Sequence, residues 1–418
     1  LPSKNIYDSG DYPKALDHIE SLIERERDGG VLDPQVLDEL AEKGVYRGTQ
    51  PSVLIEPGVS GSDWTDRQRT AQDELQGRDR DEVSELPEHL RGKVKEDGSI
   101  SVYLATDSSG QGHQTLVSQL MADQLEVLPS KIEVEYLGSV ESPTEYGSAA
   151  SRMAVMLSGA AEGLGDKMRE NARTLAAEIL GCQLEDVRYH EGQVTPKNGD
   201  ITLSELARHE TDITVEEGFT LSDLASYDLA RDGDRLLSAS YNYEHPATGV
   251  ADFDEAFLKK YPVYPTAAFA ANAPIVEVDT RSGEIEILKF LTVRDCGTML
   301  NPVIVEGQAH GGIAQGVGAA LLEEFGYDDD GQPQSVTFFD YILPSISNVP
   351  PIEMEHTETP SPYTATGAKG TGEGGMIDAP ASIASAINDA LDPLDVTADE
   401  LPFTPNRVRE AIREIGDQ

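Results

Sequence analysis

Cysteine is nearly absent: Cys182 and Cys296 are the only two. Two thiols exclude a disulfide framework, an all-cysteine zinc site and a protein-held iron–sulfur cluster. Basic residues are also few, with 32 Lys plus Arg against 76 Asp plus Glu and a formal net charge of -44. Such a surface repels nucleic acid and anionic membranes, so neither is expected as a partner. No apolar run approaches the ~20 residues that a spanning helix needs. The start, Leu1-Pro2-Ser3, has neither a basic n-region nor an apolar h-region, so no signal peptide is expected and the reading is cytoplasmic. It also lacks an initiator Met, which makes a fragment, or a short product of a larger gene, the expectation.

What is present is a foldable chain. Hydrophobic residues make up 38% and the acid is spread over the whole length. That describes a folded protein with an acidic coat, which a salt-rich cytosol would screen, and a halophilic source is expected. At 418 residues the chain can hold two or three domains. The reading divides it into an N-terminal helical segment with an acidic polar loop (1–95) and two α+β units (96–270 and 271–418).

Residues 1–45 pattern as two helices, the first capped by Ser9 or Asp11 and carrying Leu16, Ile19 and Ile23. Residues 46–60 are strand-like, and 60–93 read as a polar loop. Asp97-Gly98 signals a hairpin whose second strand is Ile100 to Leu104. A glycine loop ends in a helix with Leu116, Val117, Leu120 and Met121 on one face. Lys131 to Leu137 is a strand. A long helix carries Met153, Met156, Leu157, Ala160, Leu164 and Met168. Around 272 the order returns: a hairpin across Asp279 to Gly283, the loop Asp295-Cys296-Gly297 to Asn301-Pro302, and a helix to Leu322. Hairpin, glycine loop and helix thus occur twice. This predicts a duplicated α+β unit rather than alternating βαβ crossovers. Phe338 to Ile342 reads as a further strand, and a last helix starts near Thr404-Pro405.

Three glycine-rich segments stand at or within helix starts: Gly110-Gln111-Gly112, Gly307-Gln308 with Gly311-Gly312, and Gly367 to Gly375. Each offers backbone N–H donors, and helix starts favour negative charge. None ends in Gly-Lys-Ser/Thr, and none gives a Gly-x-Gly-x-x-Gly after a strand, so neither nucleotide fingerprint is met. Together they suit a large polar ligand with amide-like rings and phosphates. The eight His residues show no metal-ligand spacing, so any metal must arrive with its ligands attached. Cys296 reads as a small buried residue. Glu373 is either a helix-start charge, worth about 0.3–1 kcal/mol, or a reagent. Lys369, four residues earlier, is either a surface charge or part of the same site.

In this order, Gly110-Gln111-Gly112-His113-Gln114-Thr115, Asp295-Cys296-Gly297 to Asn301-Pro302, Glu306-Gly307-Gln308 and Gly367 to Glu373 resemble the molybdenum-binding large subunit of the xanthine dehydrogenase and aldehyde oxidase family. Asp279 to Glu284 is similar to that family's hairpin. Tyr7 to Tyr12, Asp340-Tyr341 and Thr359-Pro360-Ser361-Pro362 look closest to its aerobic carbon monoxide dehydrogenase branch. The resemblance implies a molybdenum hydroxylase that oxidises a small substrate with water-derived oxygen. The cofactor would be molybdopterin, often extended to the cytosine dinucleotide, with molybdenum held by the pterin's own sulfurs. By resemblance Gln111, Gly112 and Gln308 approach the cofactor, Ser148, Ser151 and Arg152 seat its nucleotide, Lys369 lines the active site and Glu373 is the general base. A dry, glycine-lined pocket around Glu373 is expected, since enclosure raises a carboxyl toward neutrality. Electrons would leave through an Fe-S small subunit and an FAD medium subunit, in a dimer of heterotrimers. Family members carry a further glycine-rich segment and a copper-binding Cys upstream. Neither is in this chain, and Cys296 does not match that Cys. The expectation is therefore the second molybdopterin-binding half of such a large subunit, pairing with a separate first half. The other reading is a non-catalytic remnant serving as an α+β scaffold.

Overall fold

The computed structural model describes residues 8–58, 88–138, 147–197, 219–230, 237–243, 245 and 266–416. The chain divides into two units. A terminal unit takes Tyr7–Gly58, Thr266–Pro362 and Gly367–Gln418, and a middle unit takes Val59–Pro265 with Leu1–Ile6 and Tyr363–Thr366. The boundary expected at 95 is thereby corrected. Residues 7–58 join the C-terminal part because their strands hydrogen-bond to the strand after 266. Most of the polar stretch 60–93, residues 143–146 and most of the second acidic stretch lie outside the described residues.

The terminal unit opens with α1 (Tyr12–Arg27), capped by the Asp11 side chain on Lys14 N, and α2 (Pro34–Ala41), capped by Asp33 on Gln35 N. Strands β1 (Val45–Gly48) and β2 (Ser52–Gly58) follow.

The middle unit begins where a loop was expected: Glu88–Val94 is strand β3, with residues 88, 90, 92 and 94 turned inward. Its few large side chains hid an alternation completed by Gly92, where a Cβ would stand 2.5 Å from Met168 Sδ. β3 pairs antiparallel with β4 (Ile100–Leu104). Helix α3 (His113–Gln124) then leads to β5 (Ile132–Tyr136), parallel to β4. That is a βαβ crossover, which the sequence reading set aside; a helical connection permits parallel return. Helix α4 (Met153–Leu180) packs on β3, its Met153, Met156, Leu157, Ala160, Leu164 and Met168 all buried. A small sheet of β6 (Val187–His190), β7 (Gln193–Pro196) and β8 (Phe219–Thr220) precedes α5 (Leu221–Ala230). Then β9 (Ser238–Tyr243) pairs with β3. Gly159 and Gly163 on α4 admit the rings of Tyr243 and Tyr241 on β9.

The chain returns to the terminal unit with β10 (Thr266–Asp279) and β11 (Ile285–Asp295), a long hairpin. β10 also pairs with β2 along 266–272 and with β1 along 276–279. Pro274, which has no N–H to give, sits in the gap between those two partners. Helix α6 (Pro302–Leu321) crosses to β12 (Ile352–Thr357), parallel to β11. The strand expected at Phe338 to Ile342 is instead a turn with Phe338 and Phe339 exposed. The true strand is β12, whose place is set by pairing rather than by its Glu-rich sequence. Helices α7 (Gly374–Leu391) and α8 (Pro405–Gly416) complete the unit.

β10 is covered on both faces. Ala15, Ile19, Leu22 and Ile23 of α1 pack against Phe269, Ala271, Ala273 and Ile275. On the other face Val276, Val278 and Phe290 meet Ile313, Val317, Ile383, Ile387 and Val408. This explains its long run of small and apolar residues without alternation.

Candidate functional site

Each unit carries its own cluster of the residues singled out from the sequence. In the middle unit the chain leaves β4 and turns through Asp107 to Gly112 into α3. Gly110 and Gly112 have φ of 106° and 75°, which a side chain would strain. Gly112 stands at the N-cap of α3 and supplies no side-chain cap. The first-turn N–H groups are therefore not taken by a capping side chain, the arrangement that receives anions. Gln111 folds back on its own loop, its Oε1 accepting from Ser109 N at 2.5 Å and Ser108 Oγ at 3.1 Å. That holds the carbonyl end inward and fixes the amide.

A second turn, 147–152, leads into α4. Ala150 and Ser151 both adopt left-handed φ, at 49° and 48°. Strain of this kind persists only where the surroundings impose it. Ser148 Oγ donates to Asp107 O at 3.4 Å and joins the two turns. Arg152 is 1% exposed, so it supports the turn from beneath. Its Nη1 lies 3.4 Å from Glu88 Oε2 and 3.5 Å from Gly147 O. Burial pushes the Glu88 carboxyl upward, with Arg152 and the Thr106 hydroxyl pulling it back.

In the terminal unit two loops are laced together. Lys369 N donates to Cys296 O at 2.7 Å and Thr298 N to Gly367 O at 3.1 Å. Gly297 must be glycine, since a Cβ there would stand 2.2 Å from Gly367 O. Asp295 organises both loops from inside. It accepts from Gly297 N, Thr357 Oγ1, Thr359 N and Thr359 Oγ1 at 2.9–3.2 Å. Lys369 is buried too, its Nζ 3.2 Å from Ser9 O, 3.3 Å from Thr359 Oγ1 and 4.0 Å from Asp295 Oδ1. Burial pushes its ammonium downward, with Asp8 and Asp295 opposing. Lys369 thus anchors the loop from below. Cys296 is buried and its thiol is pushed up to about 12, chiefly by burial, which suits an inert residue.

The anchored loop ends at Glu373, which is exposed. The dry enclosure expected around it is not made by the described residues. Glu373 supplies no side-chain cap to α7. The Glu373 N–H is itself taken by Glu56 of β2, whose Oε1 accepts it at 2.8 Å. Gln308 is half-buried on α6. The glycines beside it do not act as loop donors: they lie inside the helix, and Gly312 and Gly316 bring α6 against α7. A Cβ on Gly312 would stand 2.7 Å from Gly375 Cα, and one on Gly316 2.3 Å from Ala379 Cβ.

Sequence reasoning missed Glu56, Arg294 and Asp295 as site residues. A signal existed for Glu56, a charge on the inward face of a strand between Leu54 and Gly58. Among the described residues no three His, Cys, Asp or Glu gather as metal ligands. The donors present are amides, hydroxyls and an open helix start. They fit a phosphate-bearing cofactor that brings its own metal ligands.

Comparison with known proteins agrees with this donor set. Residues 39–350 match the molybdopterin cofactor-binding domain family. The nicotine 6-hydroxylase large subunit of Paenarthrobacter nicotinovorans is 30% identical over 100% of this chain and 46% of its own length. The carbon monoxide dehydrogenase large chain of Hydrogenophaga pseudoflava is 28% identical over 77% of this chain and 36% of its own. Among solved structures, quinoline 2-oxidoreductase from Pseudomonas putida 86 superposes with a TM-score of 0.74 at 30% identity, covering 97% of this chain and 46% of that one. A copper- and molybdenum-containing CO dehydrogenase shares the fold, with a TM-score of 0.76 at 24% identity, over 98% of this chain and 46% of that one. The chain spans about half the length, or less, of the relatives it matches. It belongs to the molybdopterin cofactor-binding domain family, as found in the molybdenum-binding large subunits of the xanthine dehydrogenase type.

Proposed function

We propose that this chain is the second molybdopterin-binding half of a molybdenum hydroxylase large subunit, and that Glu373 is its general base. One observation carries the reading. Glu56 holds the Glu373 N–H, while the Glu373 side chain does not cap α7 and is exposed at the end of an anchored loop. The overall reaction converts a C–H bond and water into C–OH, two protons and two electrons; with carbon monoxide the product is carbon dioxide. When bound, the cofactor supplies the two-electron oxidation. Glu373 takes up a proton released from water as the new bond to carbon forms. Lys369 and Asp295 hold its loop still. The open start of α3, with Gln111 and Gly112, and the turn bearing Ser148 and Ser151 receive cofactor phosphates and amide-like ring edges. Arg152 braces that turn, and Gln308 presents an amide from α6.

The cofactor form proposed is the cytosine dinucleotide. Electrons pass to an Fe-S small subunit and an FAD medium subunit, in a cytoplasmic assembly with the remainder of the large subunit. Metal and pterin analysis of the assembled enzyme tests the reading: molybdenum and a cytosine nucleotide are expected, and their absence favours the scaffold reading. Glu373→Gln is expected to keep the cofactor content and lower turnover by at least ~100-fold. Near-normal turnover removes Glu373 from the base role.

A further inference from the structure

A buried acid in a β-strand needs a reason, because desolvating a carboxylate costs several kcal/mol and an apolar replacement is often neutral or stabilising. Glu56 is 1% exposed on β2, with Leu54 and Gly58 on the same inward face. Three observations define what it does there. Its Oε1 accepts the backbone N–H of Glu373 at 2.8 Å. Its Oε2 lies where a Cβ on Gly374 would be, at 2.2 Å, and Arg294 Nη2 stands 2.7 Å from the same point. Arg294 is itself 3% exposed, and among its charged neighbours Glu56 does most to hold its guanidinium charged against burial. So a buried carboxylate and a buried guanidinium both press on one glycine, immediately after Glu373. One turn further on, Asp378 accepts from Ser52 Oγ at 2.5 Å and Asn272 Nδ2 at 3.1 Å, fixing the same helix start to β2 and β10.

We propose that Glu56 is a positioning residue. From a neighbouring strand it accepts the N–H of the residue that opens α7, and with Arg294 and Gly374 it fixes where the Glu373 backbone stands. The negative charge that a helix start favours, one of the two readings of Glu373, is supplied beside it by Glu56. Any side chain at 374 displaces the clamp, which accounts for glycine at that position. The inference rests on the reading of Glu373 as the base, but the clamp itself is measurable without activity.

The first test is amide hydrogen exchange on the full chain. Glu56→Ala is expected to speed exchange at Glu373 to Met376 by at least about tenfold, with protection at Ile383 to Ala390 unchanged. Glu56→Gln keeps the side-chain volume with a weaker acceptor, and is expected to speed the same amides by about threefold. Unchanged exchange at these amides in both variants overturns the clamp. The second test is a double-mutant cycle in the assembled enzyme. Glu56→Ala is expected to lower kcat by about 10- to 100-fold with KM within about threefold, and to add little further loss in a Glu373→Gln background. Full multiplication of the two losses overturns the positioning role. If exchange quickens as expected but Glu373→Gln turns over normally, the clamp stands and the base reading fails.

Discussion

The middle and terminal units run through the same order, an antiparallel hairpin, a glycine loop, a helix and a parallel return strand, yet they treat their loops in opposite ways. In the middle unit the loop begins with Asp107, which is exposed, and ends with Gly112 at an uncapped helix start. In the terminal unit it begins with Asp295, which is buried under four accepted hydrogen bonds, and ends with Asn301, whose side chain accepts from Ile304 N at 3.1 Å. One loop opens into a helix start with no side-chain cap, and the other caps its own. Glycine content alone therefore does not identify a cradle. What separates the two is whether the chain caps the helix start with a side chain of its own.

The largest expected difference lies in the two aspartates. Asp295→Ala strands several buried donors and removes a countercharge from Lys369, and should lower unfolding free energy by about 3–5 kcal/mol in a denaturant titration. Asp107→Ala should change it by no more than about 0.5 kcal/mol. Similar losses would break the contrast.

Next come the glycines that admit close packing. Gly312→Ala meets backbone and Gly159→Ala meets the Tyr243 ring, so both should cost about 1–3 kcal/mol, with Gly312 the larger because a ring can tilt and a backbone cannot. The helix starts separate the units at a finer scale. Asn301→Ala should cost about 1 kcal/mol through the lost cap. Gly112→Ala should cost about 1–2 kcal/mol through its left-handed backbone alone, since no side-chain cap is lost.

The smallest expected effect concerns acid. Burial pushes His113 and His245 of the middle unit and His356 of the terminal unit below the ordinary value of 6.5. Below that value the unfolded chain takes up protons that the folded imidazoles resist, so stability falls as pH drops below about 6.5. Glu88, raised by burial, acts in the opposite direction within the middle unit. A His245→Gln variant isolates the histidine contribution: its melting midpoint should fall less steeply over that range than the parent's.

Much of this fold is legible in the sequence. Ile100 to Leu104 declared itself by β-branched and aromatic residues, the Asp97-Gly98 turn and the helix that follows. Met153 to Met168 declared itself by a stripe at helical spacing, all of it buried. Tertiary pairing escaped. β12 was missed because its Glu-rich sequence gains strand character only beside β11, and Phe338 to Ile342 was misread because strand-forming residues there stay exposed. Glu373 stands out in the sequence as a charge in a run of glycine, and in the structure its side chain is exposed. For Glu56 the sequence shows only a charge on a strand's inward face; what it holds is hidden because that partner lies 317 positions along the chain. The roles of Lys369 and Arg152 were legible only in part: their place near the loops was read, their burial was not.

The contact between α6 and α7 has a mechanical consequence. At Gly312, Gly316, Gly375 and Ala379 the two helices approach so closely that no flexible side chain lies between them. A cushion of long side chains could absorb a sub-ångström slide by changing rotamers, but touching backbones cannot. At this crossing the first turn of α7 therefore has no side-chain cushion through which to shift relative to α6.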